Sequence, residues 1–479
     1  MKSIKYLIMG VLLAGFSATA NAQEEELNAA LNAIKTKSPE VADLTKTAYK
    51  KNKKNPDALM KIARAYFEQK DTAGAIKFAN YANEAGKPKY QYAPAYLLLG
   101  DIESAYGTDG GKAAGYYNQA INFDPKNPEG YKKWAMVYRK ISPKQAAQKL
   151  QDMKAQCPNE DIDAFTAHIY MLAGDEKQAY ENYMKADITK LDKGQLNEFA
   201  RCSYFTGHFA DALRASEAGI KLTPRNPTFN RLAMFSNYEL KNYDAAKTYI
   251  NKYFNETDSA TFSEYDHFYT ALIYQALEDK VNAYEQFDKA LELVTDSSMI
   301  KRWDILKTVS DSHVKDKNFD QAIKYYKDLI ACKKELNFDD EEGLAGLYTK
   351  YADEAGDAGN TAKKMELLKQ ADAIYGDLIT KYPVQEAYAT YMRASINNKL
   401  DDNMKNSLAK PYYEKVAALL SAKGADRSNG ENIMLKTAYH YLMFNSYINK
   451  NVAGAKNFAD KILEIDPEYK PALEIKNLK

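Results

Sequence analysis

The 479 residues predict an all-α superhelix, a solenoid of about eleven helical hairpins. Three observations carry this expectation. Apolar residues recur three and four positions apart along almost the whole chain, which is the spacing of one helix face. Glycine (22) and proline (14) are scarce, which disfavours an all-β chain built on many turns. The stretch Gly207 to Pro224, GHFADALRASEAGIKLTP, also returns in altered form along the sequence. It holds a small residue at Ala212, Ser216 four later, Gly219 three after that, and Pro224 as a stop. The same slots read Ala113, Tyr117, Ala120 and Pro125, then Ala179, Tyr183 and Ala186, then Ala283, Phe287 and Ala290, then Ala371, Tyr375, Leu378 and Pro383.

Taken in order, the chain opens on Lys2 and Lys5, an apolar run from Tyr6 to Phe16, and small residues at Ala20-Asn21-Ala22. A basic flank, a short apolar core and an A-x-A end predict a secretory signal peptide over 1–22, too short to span a membrane. With no cysteine near that end for a lipid anchor, the expected compartment is the periplasm, and full secretion is the alternative. Residues 23–55 read as a degenerate capping repeat, with Leu27, Ala30, Leu31 and Ile34 on one face and Val41, Leu44 and Ala48 on the next. The lysines at 50, 51, 53 and 54 suit a solvated helix end.

A regular array is expected over 56–297. Asn55-Pro56 starts a helix whose inner face is Leu59, Ile62, Ala63 and Tyr66. Tyr96, Leu99 and Gly100 precede a glycine-rich turn at 107–111, and Tyr131, Trp134, Ala135 and Tyr138 pair with Ala146, Leu150 and Met153. Small residues let two helices approach closely while aromatics fill the space beside them. Over 298–469 the repeats stretch. A long turn is expected at 353–361, before a helix over 363–381, and polar insertions at 397–411 and 421–432. Residues 470–479 predict a capping helix with Leu473 and Ile475 inward.

Counting between second-helix alanines gives steps of 38, 33, 33, 33 and 34 from Ala75 through Ala113, Ala146, Ala179 and Ala212 to Ala246. The steps then lengthen to 37, 39, 49, 38 and 46 through Ala283, Ala322, Ala371 and Ala409 to Ala455. On these residues the chain resembles a bacterial exported tetratricopeptide repeat (TPR) array, whose helix-turn-helix unit repeats about every 34 residues. The Trp and Gly of that family's pattern are mostly replaced here by other apolar or small residues. The resemblance implies a concave wall made of first helices and a peptide or partner helix held against it. Candidate wall residues are Arg64, Lys132, Arg139, Asn197, Arg201, Tyr204, Asn230 and Asn237. Some members of the family grip a C-terminal carboxylate with Lys and Asn at set places on consecutive first helices; that set is not found here.

Charge and motifs exclude other classes. With 66 basic and 65 acidic residues spread along the chain, nothing electrostatic favours nucleic acid or an anionic membrane. His168, His208, His267, His313 and His440 are scattered, with no metal-binding pair at i, i+4. The acidic run Asp339 to Glu342 suits a helix N-terminus better than a calcium loop. Cys157, Cys202 and Cys332 are odd in number and far apart, as expected of small helix hydrophobes, although one disulfide is open to them. No enzyme, cofactor or metal is expected. The expected function is a protein-interaction scaffold of the cell envelope with an unidentified protein or peptide partner. The alternatives are a glycan- or peptide-binding module for uptake, drawing on the 38 tyrosines, and, least favoured, a hydrolase within 397–432.

Overall fold

A computed structural model describes residues 23–258 and 260–478, and the expected signal peptide lies outside them. The regular structure of the described residues is helical, in tandem pairs. The chain divides into two compact units, one ending at Ala260 and the other beginning at Thr261. In the first unit α1 (23–36) and α2 (Val41–Asn52) form the opening pair. Then come α3 (Pro56–Glu68) with α4 (Thr72–Ala85), α5 (Ala93–Tyr106) with α6 (Gly110–Phe123), and α7 (Pro128–Tyr138) with α8 (Pro143–Gln156). They are followed by α9 (Asp163–Ala173) with α10 (Glu176–Tyr183), α11 (Lys193–Phe205) with α12 (Phe209–Leu222), and α13 (Pro227–Glu239) with α14 (Tyr243–Asn251). A π turn over Lys252–Glu256 continues α14.

The second unit pairs α15 (Glu264–Ala276) with α16 (Lys280–Leu293) and α17 (Arg302–Lys315) with α18 (Phe319–Cys332). Next are α19 (Phe338–Asp357) with α20 (Thr361–Lys381), α21 (Glu386–Leu400) with α22 (Lys410–Ser421), and α23 (Asn429–Ile448) with α24 (Val452–Ile465). The last element is α25 (Lys470–Lys476).

Local chemistry explains where these helices begin and end. Asn55, Asn127, Ser142 and Asn226 cap α3, α7, α8 and α13 through side-chain oxygens, and each is followed by proline at the first helical position. That ring fixes a helical φ where no N–H partner is needed. Residues before a proline cannot hold the helical conformation easily, so α6, α8, α12, α20 and α24 stop at Asp124, Cys157, Thr223, Tyr382 and Asp466.

The repeating alanines set the spacing between paired helices. All eleven are buried, ten of them without exposed surface. Nine occupy the fourth residue of their second helix, where a larger side chain would push the first helix away. Ala371 lies further in, because α19 and α20 are both longer at their shared turn. Ala409 is an exception: it sits just before α22 rather than inside a helix.

Tyrosines then link one repeat to the next. Tyr180 donates to Asp211 at 2.9 Å, Tyr249 to Glu217 at 3.2 Å, Tyr284 to Asp316 at 2.8 Å and Tyr325 to Asp288 at 3.1 Å. In each case a half-buried ring sends its hydroxyl to a carboxylate 31 to 37 residues away. The hydroxyls of these tyrosines are therefore engaged at the repeat interfaces.

Several expectations are corrected. Most of 353–361 is helix, since α19 runs to Asp357 and buries Ala352 and Ala355 with Leu367 and Leu368 in one core cluster. Gly110 and Gly111 open α6 under an Asp109 cap instead of forming its preceding turn. The 397–411 insertion starts with the end of α21, and the 421–432 loop shortens to 422–428 between α22 and α23. Leu473 faces out at 39% exposure, because the inward stripe of α25 is Ala472 and Ile475, three residues apart. The acidic run does open α19, where Asn337 and Asp340 form a capping box. The three thiols are unpaired, Cys202 buried and the other two half-buried.

Candidate functional site

A hollow in the first unit lies along four successive first helices. Phe67 comes from α3, Asp101, Glu103, Ser104 and Ala105 from α5, Glu129, Lys132, Lys133, Met136, Val137, Arg139 and Lys140 from α7 and its end, and Phe165 from α9. Its volume is about 970 Å³, and it mixes apolar surface from Phe67, Met136, Val137 and Phe165 with charge of both signs.

The polar side chains are held in place by their neighbours. Asp101 Oδ1 accepts from Lys133 Nζ at 2.8 Å and from the Tyr117 hydroxyl at 2.9 Å. Tyr117 reaches it because residue 100 is glycine: a Cβ there would fall 2.5 Å from the Tyr117 ring. Burial first, then Asp101, raises the Tyr117 hydroxyl well above its ordinary range, so it stays a donor. Glu103 pairs with Lys112 at 2.7 Å and Lys132 with Glu160 at 2.8 Å. Arg139 donates to the Met136 carbonyl, while its Nε is buried without a partner.

The next first helices continue the polar wall. His168 Nδ1 on α9 lies 2.9 Å from Glu198 on α11, whose other contact is the buried Tyr183 hydroxyl at 2.7 Å. The hydrogen bond to Glu198 raises the histidine above its ordinary value against the opposing effect of burial. Arg139 is near enough to His168 to oppose that rise.

Of the eight sequence candidates, the structure brings Lys132 and Arg139 together in the hollow. Arg64 on α3 and Arg201 on α11 are exposed, and Asn197 is half-buried beside Glu198. Tyr204, Asn230 and Asn237 are not surface positions. Tyr204 is buried against Phe209 and Phe235. Asn230 is fully buried, with Nδ2 donating to the Pro224 and Asn226 carbonyls, and Asn237 donates to Ala233. Eight residues of α13 are buried, so the polar members of that face turn their amides onto local backbone. Asp101, Glu103, Lys133, His168 and Glu198 were not anticipated. The available signal was position: Asp101 follows the small slot at Gly100 directly, and Lys133 stands beside Lys132.

Among the described residues, no group of three or more His, Cys, Asp or Glu side chains converges as a metal site. No described helix is long and apolar enough to cross a membrane. The arrangement offers shape, apolar contact and fixed charges.

The helix pairs, their alanine slots and their period define the protein class: an all-α solenoid of tetratricopeptide-type hairpins. No family model and no curated protein matches the chain. Solved structures with a similar fold include the C-terminal part of a TPR repeat-containing protein from Cytophaga hutchinsonii, at 20% identity and TM-score 0.43, covering 59% of this chain and 100% of that one. A tetratricopeptide repeat protein from Parabacteroides merdae is 16% identical over 50% of this chain and 94% of its own, with TM-score 0.33. Pseudomonas aeruginosa pilF is 16% identical over 43% and 93%, also with TM-score 0.33. The assignment rests on this chain's own repeats.

Proposed function

We propose that this protein is a non-catalytic interaction scaffold of the cell envelope. It holds an extended peptide, or one helix of a partner protein, against the first-helix wall between Phe67 and Phe165. The observation that carries the reading is the hollow itself: four consecutive first helices contribute to one opening of about 970 Å³. Its charged groups are anchored by Asp101–Lys133, Glu103–Lys112 and Lys132–Glu160, so a ligand meets a preorganised surface. Apolar anchors at Phe67 and Phe165 would supply most of the affinity, and the charges would set register.

Envelope placement is motivated by the basic, apolar and small-residue pattern of residues 1–22. The test is site-specific photocrosslinking in intact cells. A photoreactive residue at Phe165 is expected to capture a discrete protein in the envelope fraction, and one at exposed Val281 is expected to capture none. Absence of any adduct across several growth conditions, or recovery of the chain only from cytosol, would overturn the reading.

A further inference from the structure

A second cavity, in the other unit, has the chemistry of a small-molecule site. Its sequence origin is the 39-residue step between Ala283 and Ala322. The link between α16 and α17 spans 294–301, whereas 124–127 and 223–226 suffice between α6 and α7 and between α12 and α13. The longer link does not hang loose. Thr295 N–H donates to Ser298 Oγ at 3.0 Å, and Lys301 Nζ donates to the Asp296 and Ser298 carbonyls at 3.0 and 2.7 Å.

This folded link, the start of α17 and the end of α18 enclose about 550 Å³, within the range of small-ligand pockets. Three features select the ligand. First, Trp303 borders the cavity with 37% of its surface exposed, whereas the chain's other tryptophan, Trp134, is buried at 8%. Second, Val294 and the half-buried Cys332 add apolar wall. Third, four cations line the space. Lys333 pairs with Asp340 at 2.5 Å. Lys301 and the Arg302 guanidinium instead donate to backbone carbonyls, Arg302 to Leu291 at 2.7 Å, so their charges are positioned but not neutralised by a carboxylate. Lys334 is exposed. Asp296 and Glu335 are the acids among the lining residues, and neither forms an ion pair with these lysines or the arginine.

We propose that this cavity binds a small organic anion with an apolar body, its carboxylate toward Lys301, Arg302 and Lys334 and its apolar part against Trp303 and Val294. An inorganic anion would lose the apolar contact, and a neutral aromatic would leave the cations unanswered.

Having only two tryptophans makes the test direct. The full chain is labelled with 5-fluorotryptophan, and the Trp303→Phe variant assigns its two fluorine resonances. Titration with benzoate is expected to shift the Trp303 resonance saturably and leave Trp134 unmoved. Inorganic phosphate and benzyl alcohol serve as the charge-only and ring-only probes and are expected to give no saturable shift. Lys301→Ala and Lys334→Ala, shown by circular dichroism to remain folded, are each expected to weaken benzoate binding about ten-fold, the scale of one lost charge-assisted contact. The proposal is overturned if benzoate causes no saturable shift, if both resonances move together, if phosphate or benzyl alcohol binds as well, or if both lysine variants bind benzoate unchanged.

Discussion

At Gly100 the absence of one methyl group decides how a pair of helices meets. A Cβ would stand 2.5 Å from the ring of Tyr117, whose hydroxyl bonds Asp101 in the first hollow. Gly100→Ala is therefore expected to cost about 1–3 kcal/mol in urea unfolding, although alanine favours helix intrinsically. An unchanged or higher midpoint would show that Tyr117 can move aside freely. His168 adds a pH signature. Its folded value is raised above the ordinary 6.5 by Glu198, so its stabilisation is complete below that value and fades as pH rises through the raised one. His168→Gln is expected to destabilise more at about pH 5.5 than at about pH 8.5. Equal losses at both would contradict the His168–Glu198 pairing.

Individual elements show how insertions are absorbed. Where α19 and α20 lengthen at their shared turn, both helices grow together and the added surface is buried by Ala352, Ala355, Leu367 and Leu368. The link from α21 to α22 uses a different device. Asp401, 3% exposed, accepts from the N–H groups of Asn406 and Leu408 and from the Asn406 side chain, closing the link around one carboxylate. Burial works against its charge, but the amides at 406 and 408 outweigh it and hold Asp401 below the ordinary 3.8. Its contribution is complete above that value and is lost as pH falls through the lowered one. Asp401→Ala is expected to cost about 1–3 kcal/mol at neutral pH and to speed hydrogen exchange at 406 and 408. Unchanged exchange there would exclude the carboxylate as the organiser.

Across the whole molecule, the recurring link is a tyrosine hydroxyl on a carboxylate of the adjoining repeat. Burial first, then those carboxylates, pushes Tyr180, Tyr249 and Tyr325 up to about 12 from an ordinary 10.0. A raised value in the folded state gives stability that is complete below the ordinary value and is lost as pH rises toward the folded one. Between those limits helicity is expected to fall cooperatively while phenolate absorbance at about 295 nm rises with it. Phenolate appearing near the ordinary value with helicity intact would show that the hydroxyls are not held by the repeats. Because each hairpin leans on its sequence neighbours, such a link acts locally but recurs along each unit.

The sequence by itself determined the periodic features. A helix repeats every 3.6 residues and a hairpin about every 34, so alanines at fixed intervals, Asn-Pro starts and proline stops declare helices, turns and repeat class without tertiary information. It also located the stretched repeats, including the 39-residue step that holds the second cavity. Only the tertiary structure decided which polar residues face a hollow. Asn230 and Asn237 on α13 have the same residue type and helix spacing as wall candidates, yet both are buried with their amides on local carbonyls. Asp101 looked like any solvated acid until α6 and α7 brought Tyr117 and Lys133 to it. Apolar periodicity marks the face a helix buries, but the fate of each polar neighbour depends on which helices pack beside it, and that is set by side chains remote in sequence.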